Sequence, residues 1–145
     1  MTGWLLDTNV LSAFAPGKPS VSPKMTTWFN ERSEELFLSA IAATEIEAGI
    51  SKLHRIGFAQ RADDLRAWFE LVLSLYADRV LAFDLPAARI AGSLGDAART
   101  EGRHPGFADV AIAAIAKSRE LMVLTLNLRH FDPLGIDARN PFDAD

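Results

Sequence analysis

Short apolar runs that do not alternate with polar residues recur along the chain, each separated from the next by a longer stretch with helical spacing. Trp4-Leu5-Leu6, Leu36-Phe37-Leu38, Val80 to Phe83 and Leu121 to Leu124 read as strands buried on both faces. That is the condition of strands in a parallel sheet. The tail near Ile136 offers a fifth. Between the runs, Ser22-Pro23 opens a helix with Met25, Trp28 and Phe29 on one face. The spacing predicts a helix from about Ile41 to Arg55, and another whose face carries Leu65, Trp68, Phe69, Val72 and Tyr76. Asp84 with Pro86 begins a further helix through Ala98, and Ala108 to Ala116 is apolar almost all round, as in a helix enclosed by neighbours.

Strands alternating with helices imply an α/β fold: a three-layer α/β/α arrangement with a central parallel sheet of four or five strands. Its crossovers are expected to be right-handed. The 145 residues show no repeat, low-complexity tract or Gly/Ser linker, so residues 1–145 read as a single domain. Ligands of such folds bind at the carboxyl ends of the strands. The residues just after each strand are therefore where chemistry is expected.

Several function classes are disfavoured by what the chain lacks. No apolar run approaches the roughly 18 residues that span a bilayer, and Met1 to Asp7 shows no basic segment followed by a long apolar run. There is no cysteine, which removes disulfides and thiolate metal sites, and a cytoplasmic location is expected. The formal charge of −4 has the wrong sign for binding phosphate, unless the acids gather around a cation and the bases lie elsewhere.

The acids that follow or flank the strands merit individual attention. Asp7 directly follows the first strand; it, Thr8 or Asn9 is equally suited to capping a helix that begins near Val10. Glu45 has Ile41, Ala42, Ala48 and Gly49 as helical neighbours, so it is expected to face the body of the protein and to want a cation. A salt bridge to Lys52 or Arg55 would satisfy it too. Glu47, beside Ala43, Thr44, Ile50 and Ser51, is more easily solvated. Asp109 opens an apolar helix, where the helix dipole favours an acid by a few tenths to about 1 kcal/mol. Asn127 follows the fourth strand, in a position equally natural for a turn residue. Hard oxygen donors converging at one sheet edge suit Mg²⁺ or Mn²⁺. Zinc fits poorly, because His54, His104 and His130 are scattered.

The same segments carry a resemblance. Leu5-Leu-Asp-Thr-Asn-Val-Leu-Ser12 resembles the opening motif of PIN domains. Leu38-Ser-Ala-Ile-Ala-Ala-Thr-Glu-Ile-Glu-Ala-Gly49 resembles the second, and Phe107-Ala-Asp-Val-Ala-Ile-Ala-Ala-Ile-Ala116 the third. Leu124-Thr-Leu-Asn-Leu-Arg-His-Phe131 and Asn140-Pro-Phe142 complete the order, and the likeness is greatest to VapC and FitB-like toxins. One departure is Asn127, where many PIN domains carry an aspartate.

The resemblance implies Mg²⁺-dependent endoribonuclease cleavage, with Mn²⁺ able to substitute. Asp7, Glu45, Asp109 and Asn127 would be catalytic, with Asp7, Glu45 and Asp109 at the metal and Asn127 a neutral ligand or hydrogen-bond donor. It further implies an RNA substrate, a homodimer, a VapB-like antitoxin partner assembling into a larger complex, and no membrane. Lys18, Arg103, His104, Arg129 and His130 are the candidates for gripping RNA. Trp28, Trp68 and Phe69 supply more aromatic area than such a chain must bury, so an exposed subset would suit a partner groove or dimer patch, while core packing is the role expected of any single one. A haloacid-dehalogenase-like phosphohydrolase would need an aspartate two positions after Asp7, where Asn9 stands. A phosphoaspartate receiver would need a lysine after a late strand, where Arg129 stands. A binding module with a dead acidic site would neither take up divalent metal nor cleave.

Overall fold

The structure, a computed structural model, describes residues 3–143; Met1, Thr2, Ala144 and Asp145 of the expected 1–145 unit lie outside the described residues. Five parallel strands form one sheet in the order β3-β2-β1-β4-β5: β1 Trp4–Leu6, β2 Leu36–Ser39, β3 Val80–Leu81, β4 Met122–Leu124 and β5 Ala138–Arg139. The fifth strand, left open by the sequence, is present. It lies two residues beyond Ile136. The third is shorter than expected, ending at Leu81, because the following residues turn to let the Asp84 carboxylate cap the next helix.

Four of the helices start where a side chain supplies an acceptor for orphan backbone N–H groups. Asp7 caps α1 (Thr8–Ser12), and the Ser22 hydroxyl accepts from Met25 N ahead of α2 (Pro23–Glu31), with Pro23 pre-set for the first turn. Ser39, fully buried, caps α3 (Ala40–Arg55), which is followed by α4 (Ala59–Tyr76). Asp84 caps α5 (Leu85–Thr100), Gly106 precedes α6 (Phe107–Ser118), and α7 (Leu128–Phe131) is a single turn.

Period-two alternation divides the sheet's side chains between two cores. Leu5 and Val123 point into one, with Ala87, Ala91, Ile112 and Ile115 from α5 and α6. Leu6, Leu36, Leu38 and Leu124 point into the other, with Val10, Phe29, Ile46 and Phe69 from α1 to α4. Helices thus cover both faces, giving the expected three layers. Seven consecutive residues of α6, Val110 to Ala116, are buried, which accounts for its all-round apolar character. No helix among the described residues is long and apolar enough to cross a membrane.

The aromatic excess resolves into core packing, the role expected of any single one of the three, and not into an exposed patch. Phe69 is buried and Trp28 and Trp68 are half-buried, all three packed into the second core. The large apolar side chains left exposed are others, among them Phe58, Leu85 and Phe107. Trp28 is consumed by packing edge-on against Trp4 at 5.3 Å and by the Arg32 guanidinium 4.4 Å above its ring.

The end of α6 offers a first test. Leu121 N donates to Ala116 O and Glu120 N to Lys117 O, with Glu120 held at φ 57°. This is the left-handed helix stop that glycine makes without strain. Glu120→Gly is expected to stabilise the fold by about 0.5–1 kcal/mol, read as a higher urea midpoint at unchanged slope.

Candidate metal and nuclease site

The sheet order determines where the crevice lies. From central β1 the chain runs outward to β2 and β3, then α5 and α6 carry it back across to β4 and β5. The two directions part between β1 and β4, so their carboxyl ends flank the opening. An open cleft of about 1040 Å³ occupies that place, and Asp7, Glu45, Asp109 and Asn127 all line it. A segment distant in sequence contributes as well: Phe142, tilted against Phe14 and Phe29, forms part of the wall.

Asp7 is both the cap of α1 and a wall of the cleft; the two readings of the sequence are not alternatives. Its backbone N–H donates to Leu124 O at 2.8 Å, extending the β1–β4 ladder by one rung. Its side chain is 6% exposed. Oδ1 accepts from Thr8 N at 2.9 Å and Oδ2 from the Thr125 hydroxyl at 2.7 Å. Burial pushes this carboxyl above its usual range, the two hydrogen bonds pull it back, and the charges of Asp109 and Glu45 push it further up. Asp109, in the first turn of α6 and half-buried, is likewise raised, by burial first and by Glu45, against the opposing pull of His130. His130 Nδ1 lies 3.2 Å from Asp109 Oδ2.

Glu45 corrects the sequence reading. It is exposed, not turned into the body of the protein, because α3 buries the Ala42, Ile46 and Ile50 edge instead. The stripe of small residues around Glu45 leaves open space: nothing lies within 4 Å of where a Cβ on Gly49 would stand. No salt bridge to Lys52 or Arg55 forms among the described residues; the Thr8 hydroxyl donates to Glu45 Oε1. Glu47, expected in solvent, is instead held in a two-pronged pair with Arg66 of α4, at 2.5 and 2.8 Å, and lies below the usual carboxylate range for that reason.

Asn127 is exposed, and its side chain makes no cap bond to α7. Its backbone N–H donates to the Thr125 hydroxyl at 3.0 Å. Thr125 went unnoticed in the sequence, although a lone hydroxyl at the end of an apolar strand, facing the aspartate of the neighbouring strand, is the signal that marks it. It is fully buried. Of the residues nominated for RNA, Lys18 and His130 line the cleft, Arg129 lines an adjoining hollow with Asn127 and Asn140, and Arg103 and His104 are exposed outside both.

No Lys or Arg pairs with Asp7, Glu45 or Asp109 among the described residues. Nor is any group of three or more His, Asp or Glu side chains among them gathered closely enough to hold a metal ion as it stands. The donor set nevertheless fits a hard divalent cation: three mutually repelling carboxylates, two of them raised toward protonation, and a carboxamide in one cleft. Asp7 and Asp109 could hold such an ion, with the exposed Glu45 beside them in the cleft lining.

The PIN domain family matches residues 4–134. The chain is 33% identical over 140 residues to Toxin FitB of Neisseria gonorrhoeae, covering 95% of this chain and 97% of that protein. It is 34% identical over 144 residues to VapC ribonuclease Y4jK of Sinorhizobium fredii, covering 96% and 97%. The crystal structure of FitAcB from Neisseria gonorrhoeae superposes with a TM-score of 0.84 at 32% identity, covering 97% of this chain and 99% of that one. With the sheet order, the ordered motifs and this match over nearly its whole described length, the chain belongs to the PIN domain family.

Proposed function

We propose that this protein is a divalent-metal-dependent endoribonuclease acting as the toxin of a VapBC-like pair. The observation that carries the reading is the uncompensated charge of the cleft. Asp7 and Asp109 are raised by burial and by the charge of the neighbouring Glu45, and among the described residues no basic side chain but the exposed His130 pairs with any of the three. A site left in that condition is suited to receive a cation. The names of the similar proteins, a toxin and a ribonuclease, point the same way.

Asp7 and Asp109 would hold Mg²⁺ or Mn²⁺, with Glu45 as a third ligand or as the group orienting the attacking water. The bound ion would supply an acidified water and Lewis-acid polarisation of the phosphate. Asp7, fixed through both oxygens, presents its carboxylate in one orientation. Glu45, exposed at the cleft, is placed to accept a proton from a water on the solvent side. Lys18 in the cleft lining and Arg129 in the adjoining hollow would supply positive charge for the RNA backbone. The resemblance to VapC- and FitB-like toxins implies a homodimer held inactive by an antitoxin peptide, and both are proposed here.

RNA cleavage should be abolished by chelation and restored by Mg²⁺ or Mn²⁺. Cleavage that survives chelation would overturn the reading. A protein that neither takes up divalent metal nor cleaves would favour the dead-site module instead. Asn127 permits a finer test. Its carboxamide adds an oxygen without charge, so one divalent ion is well compensated and a second is not. Asn127→Asp is expected to tighten Mn²⁺ binding in a calorimetric titration. Unchanged affinity and stoichiometry would leave a three-carboxylate centre.

A further inference from the structure

Glu45 poses a problem that the proposed function does not answer. The other two acids of the cleft are held by burial, a helix turn or paired hydrogen bonds, whereas Glu45 is exposed, with three rotatable side-chain bonds and no basic partner among the described residues. A ligand free to rotate loses conformational entropy each time it is ordered. Something must orient it for it to act with Asp7.

We infer that Thr8 is the positioning residue of this centre, a fixed post that seats Glu45 against Asp7. The inference rests on the metal reading given above. Thr8 touches both acids with different groups. Its backbone N–H donates to Asp7 Oδ1 at 2.9 Å, and its hydroxyl donates to Glu45 Oε1. It stands in the first turn of α1, whose N-cap is Asp7 itself, so its backbone cannot move without moving that aspartate. Its β-branched side chain has few rotamers in a helix, which makes the hydroxyl a stiff donor. The donated proton engages Oε1 and leaves Oε2 unbound, so Glu45 is oriented without being used up. Thr8 is half-buried and lines the cleft beside both acids.

Thr125 does the corresponding work on the far side of Asp7. Its hydroxyl donates to Oδ2 and accepts the Asn127 N–H. A continuous hydrogen-bonded chain therefore runs from the Asn127 backbone through Thr125, Asp7 and Thr8 to Glu45. It crosses the opening between β1 and β4 and reaches α3, and among the described residues Glu45 has no other side-chain hydrogen bond.

The test is Mn²⁺ titration of the full-length protein by calorimetry, using wild type, Thr8→Val, Thr8→Ser, Glu45→Gln and the Thr8→Val/Glu45→Gln double variant. Valine keeps the shape and removes the hydroxyl; serine restores it. Thr8→Val is expected to weaken Mn²⁺ binding by about tenfold, within the ~10–100-fold range for losing an outer partner of a ligand. Thr8→Ser should recover to within about threefold of wild type. The double variant should bind no more weakly than Glu45→Gln alone, because the two residues act as one unit. Additive losses, or a Thr8→Val variant with wild-type affinity, would overturn the positioning role and leave the metal reading standing. A serine variant as weak as the valine one would also overturn it, since the hydroxyl would then not be the agent. Wild-type protein that takes up no Mn²⁺ would instead overturn the metal reading itself, and this inference with it.

Discussion

Asp7→Asn is expected to cut RNA cleavage by at least about a hundredfold while making the metal-free protein harder to melt. The first half follows from removing a charge at the proposed cation, a loss beyond the ~10–100-fold typical of an outer-shell partner. The second follows from what that charge costs without metal. Asp7 is 6% exposed and raised above the usual carboxylate range by burial, with Asp109 and Glu45 adding repulsion. Asparagine caps α1 as well as aspartate does and still accepts Thr8 N–H; toward Thr125 its amide donates where the carboxylate accepted, so part of the gain is offset by the hydroxyl's lost acceptor. A gain of about 1 kcal/mol corresponds to roughly 3 °C for a chain of this size.

The sign of the pH dependence follows from the same groups. A carboxyl whose folded value lies above its unfolded one releases its proton more readily in the unfolded chain. The metal-free protein should therefore lose stability as pH rises from the ordinary carboxylate range through the raised folded values of Asp7 and Asp109. Asp7→Asn should flatten that decline, and saturating Mn²⁺ should reverse it. Thermal melts of both proteins across pH 4 to 7, with and without Mn²⁺, check all of these together. An Asp7→Asn protein that melts lower than wild type without metal would show that the aspartate is a structural anchor first.

The second large effect separates two neighbouring glutamates. Glu45→Gln should reduce cleavage by about a hundredfold and leave the melting temperature nearly unchanged, because the side chain is exposed and its amide still accepts from the Thr8 hydroxyl. Glu47→Gln should do the reverse: cleavage unaffected, stability lowered by no more than about 1 kcal/mol through the half-exposed pair with Arg66. Measured cleavage rates and urea midpoints form a two-by-two comparison. Equal effects of the two substitutions on cleavage would remove Glu45 from the chemistry.

These glutamates also show where the sequence was readable. Its periodicity singled out the right one of the pair for the cleft, but for a mistaken reason. Small neighbours at Ala42, Ala48 and Gly49 suggested burial, whereas they leave room around an exposed carboxylate at the cleft edge. Helical spacing tells which residues share a face, not whether another element covers that face. Strand positions, layer count and parallel sense were legible because non-alternating apolar runs admit few other arrangements. Thr8 and Thr125 were harder to find, since a hydroxyl's role depends on which strand end it meets. That becomes evident only once β1 and β4 are known to be neighbours. The pairing of Glu47 with Arg66, nineteen residues apart, needed the α3–α4 hairpin to be seen.

The two outermost strands of the sheet, β3 and β5, are each two residues long. A visiting chain that sought to add a strand would find only a rung or two of free backbone at either edge, too little to template further pairing. The molecule is thereby guarded against growing sideways into filaments. The same brevity constrains whatever binds it. A second copy or an inhibitory peptide must gain its hold through side chains on the helical layers, not by lengthening the sheet. Selectivity between similar pairs in one cell would then be written in the surface residues of the helices.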